Sequence, residues 1–215
     1  MKLIAPLLIL SSPLFSWLYY IDQPDHTSLF HGEYLFSLRL QDENGMIGSG
    51  WVGLFDRFTI GLSYGGLRLL GKETPEWYPR VEFRSRVLLL PESEFYPQLI
   101  FGFDSQGYGE YNGEGYETSP KGFFLALGKD FELFKGTLGV NRKVGKDKKF
   151  DGFCGGCVGI GTGLLLLGDY SLEDGLNLGI ELKFMETLSL TFSVRDILGK
   201  DGFERIVEIG YKESF

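Results

Sequence analysis

A two-residue alternation of apolar and polar side chains, returning along almost the whole chain, confines this sequence to β-structure. Tyr34, Phe36, Leu38 and Leu40 alternate with Glu33, Ser37, Arg39 and Gln41. Phe58, Ile60, Leu62 and Tyr64 alternate with Thr59, Gly61 and Ser63. The pattern recurs with Val81, Phe83, Val87 and Leu89, with Leu176 to Phe184, and with Leu188 to Val194. Such segments put one apolar and one polar face on a strand. Less regular versions near 46–56, 95–105, 121–131, 133–142, 150–161 and 163–171, and a last one over 204–215, bring the expected number to about twelve. Glycine agrees with this. The 31 glycines lie inside nearly every apolar segment, where each would cost a helix about 1 kcal/mol.

The connections carry a second regularity. Those around Asp56-Arg57, Leu90 to Glu94, Asp130 to Leu133, Thr162-Gly163 and Met185 to Thr187 are short. The alternate ones, Gly65 to Tyr78, Gln106 to Pro120, Val144 to Lys149, Leu172 to Gly175 and Leu198 to Phe203, are mostly longer and richer in Gly and charge. A meander whose two ends face different surroundings sorts its loops this way, as outer-membrane barrels do. The predicted fold is therefore all-β, an up-and-down antiparallel transmembrane β-barrel of about twelve strands. Bulky Leu, Phe and Val face lipid on strands long enough to cross it. Aromatics near strand ends, among them Trp51, Tyr64, Trp77, Tyr78, Tyr96, Phe131, Tyr170, Phe184 and Phe203, are read as interface girdles. An even strand count leaves no open edge and brings both termini to the periplasmic side.

Residues 1–16 read as a secretory leader: Met1-Lys2, an apolar run Leu3 to Leu10, then small and turn-forming residues, with cleavage near Ser16. The remainder, 17–215, is expected to be a single barrel domain in a bacterial outer membrane. Val207 to Phe215 ends on an aromatic and resembles the C-terminal signal by which bacterial barrels are recognised for assembly, departing from it at Glu213. The expected partners are outer-membrane lipid, the barrel-assembly machinery through the strand ending at Phe215, and a polysaccharide or small solute.

If the polar face lines a lumen, Arg39, Arg80, Glu82, Arg84, Arg86, Glu181 and Arg195 are its candidate selectivity residues. Three guanidiniums on the Arg80–Arg86 run would attract anionic or sugar-acid ligands, or would pair with acidic neighbours. Such an interior either lines a narrow aqueous path or closes into a plug of salt bridges. Inner-face glycines, Gly61, Gly102, Gly122, Gly128, Gly139, Gly179 and Gly210, leave room for curvature and for long neighbouring side chains.

Catalytic signatures are missing. The two histidines, His26 and His31, have no nearby nucleophile pattern, and no zinc-ligand spacing or phosphate-cradling loop is present, so no cofactor or metal is expected. A net charge of −8 without a basic aromatic cluster argues against nucleic acid. Cys154-Gly155-Gly156-Cys157 is open to three readings: a strained local disulfide, two free small hydrophobes, or metal or redox chemistry. The Tyr- and Gly-rich stretch Gln106 to Glu117 is read as a solvated external loop.

Gly53 to Tyr64, Leu99 to Gly107 and Gly122 to Lys129 resemble YjbH-type outer-membrane barrels, which are linked to exopolysaccharide systems. The resemblance implies a barrel associated with polysaccharide and assigns no functional residue. The functional expectation is a passive pore or export-associated channel with a charged lumen. A closed structural or adhesion barrel is the alternative, and a lipid-modifying enzyme comes third.

Overall fold

The computed structural model describes residues 17–145, 148–199 and 203–215; the expected leader over 1–16 lies outside them. Fifteen strands follow in order: β1 Glu33–Gln41, β2 Gly45–Leu54, β3 Phe58–Leu67, β4 Glu76–Trp77, β5 Glu82–Leu90, β6 Gln98–Asp104, β7 Tyr108–Tyr111, β8 Tyr116–Thr118, β9 Gly122–Asp130, β10 Phe134–Arg142, β11 Phe150–Gly161, β12 Leu164–Ser171, β13 Gly175–Lys183, β14 Leu188–Arg195 and β15 Glu204–Ser214. Twelve of them form the barrel wall. Each wall strand neighbours the next in the chain, and the ring closes where β1 pairs antiparallel with β15, from Glu33 opposite Ser214 to Leu40 opposite Val207. The other three are short: β4 extends the end of β3, and β7 pairs with β8 in the long β6–β9 connection.

This is the closed antiparallel barrel expected from the alternation taken together with the loop sorting, and closure leaves the wall strands without an unpaired edge. Phe36, Leu62, Leu138 and Phe192 point outward and are exposed, forming the apolar belt. Aromatic pairs mark its rims. Tyr64 stacks on Trp77 at one end (5.7 Å between centroids), and Tyr34 stacks on Phe215 at the other (6.2 Å). Trp51 and Tyr78, read above as girdle residues, instead point inward and are buried.

The interior is not open. Trp17 to His26 runs inside the barrel as a tight hairpin, which the sequence reading passed over as the start of a plain barrel domain. Asp25 N–H donates to Leu18 C=O and Tyr20 N–H to Gln23 C=O, both at 3.1 Å, so the chain reverses at Ile21-Asp22. Inner-face glycines make room for it. A Cβ on Gly210 would strike the Trp17 ring, one on Gly128 the His26 imidazole, and one on Gly155 the Tyr20 ring.

From the opposite end, the β7–β8 hairpin folds into the barrel mouth. Tyr108 and Tyr116 are buried there with Ile47, Leu67 and Tyr78. This corrects the expectation of a solvated loop over 106–117. A tyrosine ring gains more from burial against apolar neighbours than it loses, provided its hydroxyl is satisfied, and Tyr116 donates to Glu82 Oε1 at 2.9 Å.

Cys154 and Cys157 are free. They lie three apart on the regular strand β11, so their side chains take opposite faces: Cys157 is buried, Cys154 half-buried. Of the three readings left open, the strained local disulfide is the one set aside.

Candidate functional site: the filled lumen

Wall cations meet the hairpin at two points. At its tip, Asp22 lies between Arg39 of β1 (Oδ1, 2.9 Å) and Arg195 of β14 (Oδ2, 2.5 Å). Arg39 also binds Glu208 of β15 (2.9 Å), and Arg195 also binds Glu204 (2.6 Å). On the return leg, Asp25 lies between Arg86 of β5 (3.1 Å) and Lys135 of β10 (2.6 Å), with all three side chains fully buried. Burial alone would raise both carboxyls. The Arg195 and Arg39 charges outweigh it at Asp22, and those of Lys135 and Arg86 outweigh it at Asp25, so both sit below the ordinary aspartate range.

Backbone groups complete the seating. The N–H groups of Ile21, Asp22 and Gln23 all donate to Asp169 Oδ2 of β12, at 2.8, 2.9 and 3.1 Å, while Asn177 holds the other carboxylate oxygen at 2.7 Å. A tight turn aims its N–H groups to one side, and a wall carboxylate here accepts three of them. Arg86 donates to the carbonyls of Leu18, Asp25 and Thr27. The Tyr19 ring is sandwiched between the Arg84 and Arg86 guanidiniums, each 4.6 Å from its centroid, and its hydroxyl donates to Asp104 at 2.6 Å. Cation–π contacts of this kind strengthen where water is excluded.

The residues expected to govern selectivity are thus placed as follows. Arg39, Arg84, Arg86 and Arg195 point inward, buried, and each is paired with an acid. Glu82 is buried under Tyr116 and accepts from Arg80 Nε at 2.9 Å. Glu181 is buried on β13, in a cavity of about 30 Å³ shared with Trp17, Lys183 and Ser189. Arg80 departs from the expectation. It precedes β5, where the alternation has not yet begun, and its side chain is 63 % exposed. A second cavity of about 30 Å³, bordered by Tyr19, Arg39, Trp51, Arg84, Tyr108 and Glu208, separates hairpin from wall. Either space suits a water or two, not a solute.

The sequence reading missed Asp22, Asp25, Lys135 and Asp169. The signal that could have found the two hairpin aspartates was the surplus of inward cations over inward acids on β1, β5, β10 and β14, which calls for carboxylates from elsewhere in the chain. At the mouth, Lys121 and Lys143 share the Asp174 carboxylate, each at 2.5 Å. Those two charges outweigh the effect of burial and keep it well below the usual range.

No family model matches the chain, and no curated protein matches it. Solved structures do. A KdgM porin aligns with a TM-score of 0.57 at 9 % identity, over 85 % of this chain and 99 % of the porin. A KdgM porin in complex with disordered oligogalacturonate aligns at 0.56, 8 %, 85 % and 99 %. The COG4313 outer membrane channel from Pseudomonas putida F1 aligns at 0.51, 12 %, 90 % and 100 %. At such identities the likeness is one of fold: this chain has the barrel architecture of outer-membrane porins and channels.

Proposed function

We propose that this chain is an outer-membrane channel for small anionic solutes, acidic saccharides among them, filled at rest by its own N-terminal hairpin. The observation that carries the reading is that Asp22 and Asp25 each occupy a pair of wall cations. With the hairpin gone, Arg39 and Arg195 keep only Glu208 and Glu204, and Arg86 and Lys135 lose Asp25, which leaves positive charge on that wall suited to anions. A stopper seated by ion pairs and hydrogen bonds exchanges these for water and solute contacts when it leaves, which an apolar core does not do.

Two likenesses support the solute class. One structural neighbour is described in complex with oligogalacturonate, and the sequence resembles YjbH-type barrels linked to exopolysaccharide. Cleavage near Ser16 would leave Trp17 as a free end beside the hairpin. In this reading the short turns face the periplasm, lipid surrounds the belt, and the strand ending at Phe215 is presented to the assembly machinery.

Single-channel recording in a planar bilayer tests it. The full barrel should be silent with rare openings, and a variant lacking residues 17–27 should give steady, anion-selective steps. In that variant Arg84→Glu should reduce the selectivity. A folded variant that stays silent without its hairpin would instead favour the closed structural or adhesion barrel.

A further inference from the structure

We propose that the root of the hairpin forms a binding site for a zinc-class divalent cation, made by His26 Nε2 with the carboxylates of Glu92 and Asp130. His26 comes from the hairpin's return leg. Glu92 comes from the 91–97 connection and Asp130 from the end of β9, both at the short-turn end of the barrel. Their ligand atoms lie within 4.8 Å of one another.

The imidazole is fixed before any ion arrives. Its Nδ1 is hydrogen-bonded to Thr137 Oγ1 at 2.7 Å, and the ring packs over Gly128, where a Cβ would collide with it. A metal-ligating histidine needs its second nitrogen held in this way. The other nitrogen, Nε2, makes no hydrogen bond although the residue is 1 % exposed. It faces Asp130 Oδ1 at 3.1 Å and Glu92 Oε2 at 4.0 Å, and the nearer oxygen lies out of line for a hydrogen bond.

Coordination distances fit this spacing. Zinc takes a histidine nitrogen at about 2.0–2.1 Å and a carboxylate oxygen at about 2.0–2.2 Å, so two ligands at angles up to the tetrahedral one stand about 3.0–3.4 Å apart. Asp130 already does. Glu92 must close by a fraction of an ångström, and it sits on a connection whose neighbours are exposed. Asp130 N–H, at 3.2 and 3.3 Å from the two Glu92 oxygens, turns that carboxylate toward the site. Glu92 and Asp130 are partly exposed, 27 % and 43 %, so an ion can enter from solvent while the histidine stays buried. Imidazole with two carboxylates selects a zinc-like ion over calcium or magnesium, which prefer all-oxygen shells. An ion held there ties the hairpin to two barrel turns and opposes its exit; that consequence, unlike the binding itself, rests on the hairpin being the channel's stopper.

Calorimetric titration of the detergent-refolded full chain with Zn²⁺ tests the site. The expected result is one ion per barrel, binding abolished in His26→Gln and weakened at least about tenfold in Asp130→Asn and Glu92→Gln. The last two alter partly exposed turn residues, and an unchanged heat-dependent gel shift will show that they fold. His31→Gln should bind as the parent does. Absence of binding at millimolar zinc, or binding that survives Asp130→Asn, overturns the proposal. In bilayers Zn²⁺ should make the parent's openings rarer; stoichiometric binding with unchanged openings would uphold the site and overturn the hairpin as stopper.

Discussion

The two hairpins that enter this barrel both bury apolar area, and they differ in how much charge is added to it. The N-terminal one, reaching in from the short-turn end, carries the charge: Asp22 and Asp25 lie between four wall cations and three N–H groups meet Asp169, while Leu18, Tyr20 and Ile21 are buried against apolar wall residues. The β7–β8 hairpin at the long-loop end is seated by rings, Tyr116 lying edge-on to Tyr78 at 4.9 Å and Tyr108 buried with Ile47 and Leu67. Ion pairs in a lumen can be traded for water and for ionic solutes, whereas buried aromatic area has no aqueous substitute. On the proposed reading the first, with more of its seating ionic, is the one that leaves, and the second is the one that stays.

Removing residues 17–27 should produce the largest effect, turning a silent barrel into a steadily conducting one in bilayer recordings. If Tyr108 and Tyr116 alone keep the passage shut, the contrast between the two hairpins fails. The double variant Asp22→Asn with Asp25→Asn should come next. Breaking a buried pair costs about 3–5 kcal/mol because the partner charge is stranded, so frequent openings are expected, with a lowered temperature for the heat-dependent gel shift.

Acid should act on the same two groups. Both carboxyls lie below the free-aspartate value of 3.8 when seated. Their contribution is complete above that value and is lost as pH falls through the lower seated ones, so the hold of these two groups should be constant from about pH 5 to 8, and opening frequency should rise below about pH 3. Tyr116→Ala should loosen only the outer hairpin, by about 3 kcal/mol or more on the scale of large aromatic truncations. Faster proteolysis within 105–121, without added conductance, would be the signature. Arg80→Gln is expected to be the mildest, within about 1 kcal/mol, since an exposed arginine contributes little through its ion pair; gel-shift temperature and selectivity should both stay put.

The barrel was legible because its code is local. A period of two needs no knowledge of partners, and the loop sorting followed from where each alternation stopped. The N-terminal hairpin was not legible, because Trp17 to His26 has no period and follows a leader-like stretch, so it reads as a linker. Its meaning lies in residues far away in sequence: Arg195 for Asp22, Lys135 for Asp25, and the glycine at 210 for Trp17. Arg39, Arg86 and Arg195 are legible as inward cations, but the acids that meet them on the hairpin are not; Arg84 pairs instead with Asp104 of the wall. The tyrosines of 108–116 were misplaced for a related reason. Composition makes Gly- and Tyr-rich loops look solvated, and only the facing Ile47, Leu67 and Tyr78 make burial favourable.

The hairpin is rooted a few residues before β1, and β1 is the strand on which β15 closes the ring, with Phe215 N–H on Gly32 C=O at 3.2 Å. On the proposed reading, a stopper on so short a tether never diffuses away. Its effective concentration at the wall cations is of millimolar order, so each opening reverses itself, and a solute holds the passage open only while its own local concentration competes with that of the tethered carboxylates. The tether would thereby set a threshold concentration, below which the channel rests shut and above which cargo sustains its own route.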